Sequence, residues 1–161
     1  MKAVIVRAFG PFDQVEYGDL DDPVPGPGEV VVDLEAAEVN FPDILYIEGR
    51  YQNRPALPFS PGLAGAGRVS ALGPKVTGFA PGQKVLVLPE YGTYAAKVCA
   101  PATFCFPMPD EMPFDVAAAL GLVTQTAWFA LREVGVVRPG ETVLVLGATG
   151  GVGMAAVQLA R

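Results

Sequence analysis

The sequence predicts a chain of mixed α and β class, in which a partly closed β-barrel is followed by the beginning of a parallel, doubly wound α/β sheet. Three observations support this fold class. Through the first two-thirds of the 161 residues, short apolar segments alternate with turns rich in Gly and Pro. The last third is helical in character. Residues 142–161 have the pattern of a buried strand, a glycine turn and the start of a helix.

The barrel is predicted from short strands with turns between them. These strands cover residues 2–7, 29–38, 67–72, 83–88, 93–99 and 103–106. Because side chains alternate along a strand, Val30, Val32 and Leu34 are expected to face one way. Residues 19–29 contain three Pro and two Gly and are predicted to form a loop.

Three helical segments are predicted before the final motif. Residues 40–49 suit a short helix, since Pro42 fits its first helical position and Gly49 its exit. Later helices cover residues 116–120 and 124–134. The boundary between two domains is placed between these later helices, near Leu122, which gives domains of residues 1–122 and 123–161.

The glycine motif near the end of the chain is the most specific local signal. Residues 142–146 are almost wholly apolar, as in a parallel strand covered on both faces, and Gly147, Gly150, Gly151 and Gly153 follow. Glycines at such a junction allow a tight turn and bring main-chain N–H groups close to a phosphate at the positive end of the helix. The motif predicts a pyrophosphate site for a dinucleotide.

Three other interpretations of this motif can be compared. A Walker-type phosphate loop needs Lys followed by Ser or Thr, and Val152-Gly153-Met154 supplies neither, so that class is rejected. Short-chain reductases carry a similar glycine pattern, but after their first strand, so its position here argues against them. A turn that only packs helix on strand, with no ligand, stays open from the motif alone.

Composition excludes several kinds of partner and chemistry. The net charge is −6 and no Lys or Arg cluster occurs, so nucleic acid and acidic membranes are not expected partners. No leader and no apolar run of membrane-spanning length was identified, so a cytoplasmic protein is expected. Cys99 and Cys105 are expected to be free core residues in a reducing compartment.

The sequence contains no histidine, and this bears on both metal binding and catalysis. Two cysteines cannot complete a four-ligand zinc site, so no metal is predicted. Imidazole cannot act as the acid or base, so a proton must come from Tyr, Lys, Asp, Glu, a cofactor hydroxyl or water. Both points favour chemistry carried by an organic cofactor.

Four runs together resemble one known family. They are VNFPDILYIEGRYQ from Val39, LPFSPGLAGAGRV from Leu57, PGQKVLVL from Pro81 and PGETVLVLGATGGVGMAAVQLA from Pro139. In this order they resemble the medium-chain dehydrogenase/reductase superfamily, and within it the zinc-independent quinone oxidoreductase branch. The zinc alcohol dehydrogenases of the superfamily have Gly-His-Glu where this chain has Gly62-Leu63-Ala64, in agreement with the absence of a metal site.

The resemblance implies a GroES-like barrel that serves as substrate domain, followed by the first strand and helix of an incomplete Rossmann domain. It further implies hydride transfer from NADPH, with NADH as the alternative, to a quinone or another α,β-unsaturated carbonyl compound in a cleft between the domains. Many zinc-free relatives keep an acidic residue where this chain has Ala64, so one contact beneath that cleft is expected to be missing. A homodimer is common in the family.

The resemblance also implies roles for individual residues. Gly150, Gly151, Val152 and Gly153 would hold the pyrophosphate, and Thr126 would approach the nicotinamide end of the cofactor. Asn40 and Tyr51 would line the catalytic cleft and the substrate pocket. The pocket is expected to contain Phe41, Tyr46, Tyr51 and Phe59.

Three of these residues have simpler alternatives, which stay open. Asn40 could cap the helix that begins at Phe41. Thr126 could bond back to a carbonyl within its own helix. Tyr51 could be an ordinary half-buried aromatic, and Asp43 is expected to serve as a helix-N-terminal charge rather than as a catalyst.

One strand and one helix cannot form a doubly wound sheet, because a parallel strand needs neighbours and a crossover to reach them. Three functional hypotheses follow. The chain is the N-terminal part of an NADPH-dependent reductase and inactive by itself, or one half of a split enzyme completed by another polypeptide, or a non-catalytic interaction module that keeps the barrel. The first is preferred.

Overall fold

A computed structural model describes all 161 residues of the chain. The chain divides into two compact units, Met1–Ala119 and Leu120–Arg161. The first unit contains all the β-strands, and the second is helical.

The first unit is built on an antiparallel sheet of five strands in the order β6-β3-β4-β5-β7. The strands are β3 (Glu29–Ala37), β4 (Gly65–Leu72), β5 (Lys84–Val87), β6 (Lys97–Pro101) and β7 (Cys105–Pro107). The two outer strands, β6 and β7, do not pair with each other, so the sheet stays open. This is the partly open barrel predicted from the sequence.

A two-stranded hairpin completes the β-structure. It pairs β1 (Lys2–Ile5) with β2 (Glu16–Asp19). Isolated bridges from Ala3 to Ala95 and from Val6 to Phe59 join it to the rest of the unit. The predicted short helix is present as α1 (Phe41–Ile47).

The main core cluster of the first unit packs on the sheet. It comprises the buried residues Val30, Val32, Val69, Val85, Val87, Val98, Ala100 and Cys105. Leu34 packs against this cluster, so the predicted common face of Val30, Val32 and Leu34 is confirmed. A smaller cluster forms around Ala66, where Ala117 and Ala118 of helix α2 (Phe114–Phe129) are buried.

The second unit contains most of helix α2 (Phe114–Phe129) and the helix α3 (Gly151–Leu159). Helix α2 continues in wider turns through Ala130–Val134, where the Gly135 N–H donates to the Ala130 carbonyl. Ala127 is fully buried in this unit.

The prediction of two helices between residues 116 and 134 is wrong, because α2 is continuous through Leu122. Gly121 is the only helix-weakening residue there, and one interior glycine costs about 1 kcal/mol, which packing readily offsets. The division between the compact units lies within this helix rather than in a break between two helices.

The prediction of a strand at residues 142–146 is also wrong, since these residues pair with no strand. Leu144 and Leu146 are 83% and 85% exposed. A parallel strand forms only where neighbours accept and donate its main-chain hydrogen bonds, and the described chain offers none.

Two further differences concern the β-structure of the first unit. Strand β2 was not predicted, because its sequence, EYGD, lacks an apolar alternation and most of its residues are exposed. The strand expected from residue 93 begins only at Lys97. Before it, the main chain of Tyr94 bonds to Val4 and Pro61 instead of to a sheet neighbour.

The continuous helical segment Phe114–Val134 is 21 residues long with a mean hydropathy of 1.4 in its most apolar window. By length and composition alone it is long and apolar enough to cross a membrane. The core helices of soluble proteins pass the same test, so this is weak evidence.

The core predicts the effect of a truncation. Val85 is 0% exposed, so Val85→Ala should lower the free energy of unfolding by about 2 to 3 kcal/mol through lost burial and a residual cavity. Val24→Ala is the matched control, because Val24 is 86% exposed and its truncation should change stability by less than about 0.5 kcal/mol. Urea unfolding followed by circular dichroism measures both, and equal effects would contradict the assigned core.

Candidate functional site

Asn40 lies at the N-terminal cap of helix α1, in extended conformation. Its main-chain N–H donates to the Asp43 carboxylate at 2.7 Å, and its carbonyl accepts from the Asp43 N–H at 3.1 Å. The capping position considered in the sequence analysis is therefore the one observed. The side-chain nitrogen of Asn40 is buried and has no hydrogen-bond partner. A buried donor without a partner carries a desolvation cost, which a hydrogen bond from it would offset.

The Asp43 carboxylate joins two parts of the chain. Its Oδ2 also accepts a hydrogen bond from the Tyr94 hydroxyl at 2.6 Å, across 51 residues of sequence. Asp43 is only 3% exposed, and this burial raises its pKa above the ordinary value, against the opposing effect of the bonds from Tyr94 and Asn40. Burial and the bond to Asp43 raise the pKa of Tyr94 as well. From the sequence, Asp43 was expected only to be a charge at the N-terminus of the helix, and Tyr94 was not expected to have a role.

Gly62 fixes the position of the Tyr94 ring. Its φ of +98° favours glycine, and a Cβ there would lie 2.6 Å from Cδ1 of the Tyr94 ring and would also overlap the Thr93 hydroxyl. The Tyr94 N–H donates to the Pro61 carbonyl at 2.9 Å, and the Tyr94 carbonyl accepts from the Val4 N–H at 2.8 Å. The ring therefore has little freedom to move away from Asp43.

Asn40, Asp43 and Tyr94 contribute to the wall of an apolar depression of about 510 Å³. Its remaining lining residues are Val4, Phe12, Val15, Val39, Phe41, Ile44 and Ile47. Asn40, Asp43 and Tyr94 are the polar residues of a mainly apolar lining, and a few polar residues in an apolar wall are typical of small-molecule sites. Such a site suits a planar, largely apolar molecule that carries a hydrogen-bond acceptor.

The structure does not bring Tyr51 to this depression. The Tyr51 ring stacks on the ring of Tyr46, with 4.4 Å between centroids. Tyr46 is buried, and this burial raises its pKa to about 12. Phe59 is also buried and packs edge-on against Tyr91. Of the four aromatic residues expected in the pocket, only Phe41 lines the depression, because the other three pack against neighbouring aromatic rings.

In the second unit, the glycines of the predicted cofactor loop have different structural roles. Gly147 has a φ of +69°. A Cβ at Gly153 would overlap the Gly147 carbonyl oxygen, and a Cβ at Gly151 would lie 3.0 Å from Val123. Local backbone geometry and packing are therefore enough to account for glycine at positions 147, 151 and 153.

Gly150 is different, because the fold does not require glycine there. It is the N-terminal cap of helix α3, with φ −81° and ψ 165°, and a Cβ would meet only the Gly147 oxygen, at an ordinary 3.5 Å. No side chain caps this helix end, so its first N–H groups have no acceptor within the helix. Open space beside free N–H groups fits a phosphate, and Val152 and Gly153 follow within the first turn.

Thr126 lies on an exposed part of helix α2 in the second unit. Its hydroxyl donates to the Leu122 carbonyl at 2.8 Å, which is the intrahelical bond considered as its simpler alternative. The hydroxyl oxygen can still accept a hydrogen bond, so an approach to the nicotinamide stays a prediction. The structure contains no group of three or more His, Cys, Asp or Glu that could hold a metal ion.

The raised pKa of Asp43 predicts how stability depends on pH. Because folding raises this pKa, the favourable contribution of Asp43 is complete below the unfolded pKa, near 4, and is lost as the pH rises through the folded pKa. Asp43→Asn cannot titrate, so the stability of the variant relative to wild type should increase as the pH rises from about 3 to 7. Asp21→Asn, at an exposed position, is the control for removal of one charge. Urea unfolding at several pH values tests this, and a relative stability that stays constant or decreases would contradict it.

Comparison with known proteins places these features in a family. The sequence pattern of the alcohol dehydrogenase GroES-like domain matches residues 26–110. The chain is 40% identical to a protein of Rattus norvegicus named synaptic vesicle membrane protein VAT-1 homolog, over 100% of this chain and 40% of that protein.

Two solved structures resemble the whole chain. A quinone oxidoreductase of Pseudomonas syringae superimposes with a TM-score of 0.93 at 37% identity, over 99% of this chain and 49% of that one. A mycobacterial protein solved as a complex with NADPH gives a TM-score of 0.92 at 36% identity, again over 99% and 49%. The chain thus spans 40% of the rat relative and 49% of these two structures. The chain belongs to the alcohol dehydrogenase GroES-like domain family.

Proposed function

We propose that this chain forms the substrate-binding barrel and the first nucleotide-binding element of an NADPH-dependent, zinc-independent reductase of quinones or α,β-unsaturated carbonyl compounds. The observation that carries the proposal is the uncapped start of helix α3, where Gly150 leaves room beside free N–H groups. The likeness to a protein solved with NADPH supports the choice of cofactor. The likeness to a quinone oxidoreductase supports the substrate class.

In this proposal, different residues bind the cofactor and the substrate. Bound NADPH would supply the hydride, and the anion left by that transfer would take its proton from solvent. The main-chain N–H groups after Gly150 hold and neutralise the pyrophosphate. In the first unit, the Asn40 side-chain N–H donates to the carbonyl oxygen of the substrate and stabilises the negative charge that develops there. The apolar wall of the depression, including Phe41 and Ile44, packs against the planar substrate and excludes water.

A second candidate function is favoured by the surface of the second unit. Trp128, Phe129, Leu144 and Leu146 are all exposed, which is unusual for large apolar side chains in one small unit. A separate polypeptide that supplies further strands would cover such a surface and would make a split enzyme. NADPH binding that appears only after the remaining half of a relative is added would favour this second candidate.

Gly150→Asp tests the pyrophosphate site in a protein that contains this sequence. Asp is a favourable N-terminal cap and fits the open space, so the fold should be retained. Its charge would oppose the pyrophosphate, so NADPH affinity should fall by at least about 100-fold, or about 3 kcal/mol. Fluorescence titration with NADPH measures the affinity. Val24→Asp is the control, because it adds the same charge at a side chain that is 86% exposed; equal affinities of the two variants would refute the site.

Metal independence gives a separate prediction. Chelators such as EDTA should leave the NADPH-dependent turnover unchanged, because the chain contains no histidine and no group of ligands suited to a metal. The measurement is the reaction rate before and after dialysis against the chelator. Loss of activity that added zinc restores would overturn the zinc-independent assignment.

A further inference from the structure

We propose that Asp43 and Tyr94 are positioning residues for Asn40: the Asp43 carboxylate, held by the Tyr94 hydroxyl, fixes the main chain of Asn40 so that its carboxamide stays on the wall of the apolar depression. The proposal rests on the proposed function, because it assigns to Asn40 the contact with the substrate carbonyl. It adds two residues that have no role in the reaction described above.

The first step is the contact between Asp43 and Asn40. The Asn40 N–H donates to Asp43 Oδ2 at 2.7 Å, and the Asp43 N–H donates to the Asn40 carbonyl at 3.1 Å. Asn40 is thus held at both its donor and its acceptor. Only its side-chain torsions remain free to change the direction of the carboxamide.

The second step is the contact between Asp43 and Tyr94. A carboxylate that only caps a short helix would be expected at the surface, whereas Asp43 is almost fully buried. The Tyr94 hydroxyl, at 2.6 Å, supplies a second donor to the same oxygen and offsets part of the cost of burial. A phenylalanine at position 94 would fill the same space but could not make this bond.

The third step is that Tyr94 itself cannot easily move. Its ring lies against Gly62, where any side chain would overlap it. Its main chain bonds on one side to the Pro61 carbonyl and on the other to the Val4 N–H. The hydroxyl is therefore a fixed point in the barrel, to which Asp43 ties the start of helix α1.

The last step connects this arrangement to the site. Asn40, Asp43 and Tyr94 all line the same depression, and the Asn40 side-chain nitrogen is buried there without a partner. A donor without a partner is useful to a substrate only if its direction is maintained, since a shift of about 1 Å can cost about 100-fold in rate. The pair of Asp43 and Tyr94 provides this constraint.

Nuclear magnetic resonance can test the positioning without any turnover. The chain contains two asparagines, Asn40 and Asn53, so selective ¹⁵N labelling of asparagine gives two main-chain N–H signals and four side-chain N–H signals, two from each carboxamide. Asn53 is an internal control, because its side chain bonds to Glu90 on the exposed surface. In Tyr94→Phe, the main-chain and side-chain signals of Asn40 should shift while those of Asn53 stay in place.

The carboxylate is tested by two variants of Asp43. Asp43→Ala removes the acceptor and should shift the Asn40 signals further than Tyr94→Phe does. Asp43→Asn retains an acceptor oxygen and should give smaller shifts than Asp43→Ala. Unchanged Asn40 signals in Tyr94→Phe, or equal shifts in the two Asp43 variants, would overturn the proposal.

Enzyme kinetics supply the second readout. They are measured on a protein that contains this sequence and is as long as its relatives. Tyr94→Phe should lower kcat by about tenfold and Asp43→Ala by about 100-fold, with KM for NADPH unchanged, and Asp43→Asn should restore part of the loss. Tyr17→Phe, at an exposed tyrosine, is the matched control and should leave kcat unchanged. Unchanged kcat in Tyr94→Phe and Asp43→Ala would overturn the positioning role. A wild-type protein without turnover would overturn the proposed function alone, and the resonance shifts would then decide the positioning.

Discussion

The buried carboxylate of Asp43 is the constraint on which the candidate site depends. It accepts hydrogen bonds from the start of helix α1 and from Tyr94, whose ring lies against Gly62. A buried carboxylate is costly unless donors reach it, and both of these donors reach Oδ2, whereas the buried Oδ1 has no hydrogen-bond partner. Without this carboxylate, helix α1 would keep its hydrophobic packing through Ile47 but would lose the fixed direction of its first residue.

The parts of the fold that could be predicted are those determined by local sequence. The alternation of Val30, Val32 and Leu34 is enough to assign a core face, and Asn40 followed by Pro42 is enough to assign a helix start. The strand expected at residues 142–146 did not form, although its composition suits a buried strand. Apolar composition indicates that a segment can be buried in a sheet, but the neighbouring strands decide whether it is.

In the candidate site, too, features of short sequence motifs could be predicted, whereas contacts between distant residues could not. The glycine turn and Asn40 could be identified from short motifs. The pairing of Asp43 with Tyr94 could not, because 51 residues separate them and neither stands out within its own segment. Tyr51 was expected in the substrate pocket, and in the structure its ring stacks on the ring of Tyr46. The structure also shows that packing requires glycine at position 153 but not at position 150.

Hydride transfer is the central property of the proposed function, and isotope transfer measures it most directly. NADPH fully deuterated at C4 of the nicotinamide would be incubated with an enone and a protein that contains this sequence at the length of its relatives. We predict one deuterium at the β-carbon of the saturated product, detected by mass spectrometry and proton resonance. Product without deuterium, or no product from a protein that binds NADPH, would contradict the proposed reductase.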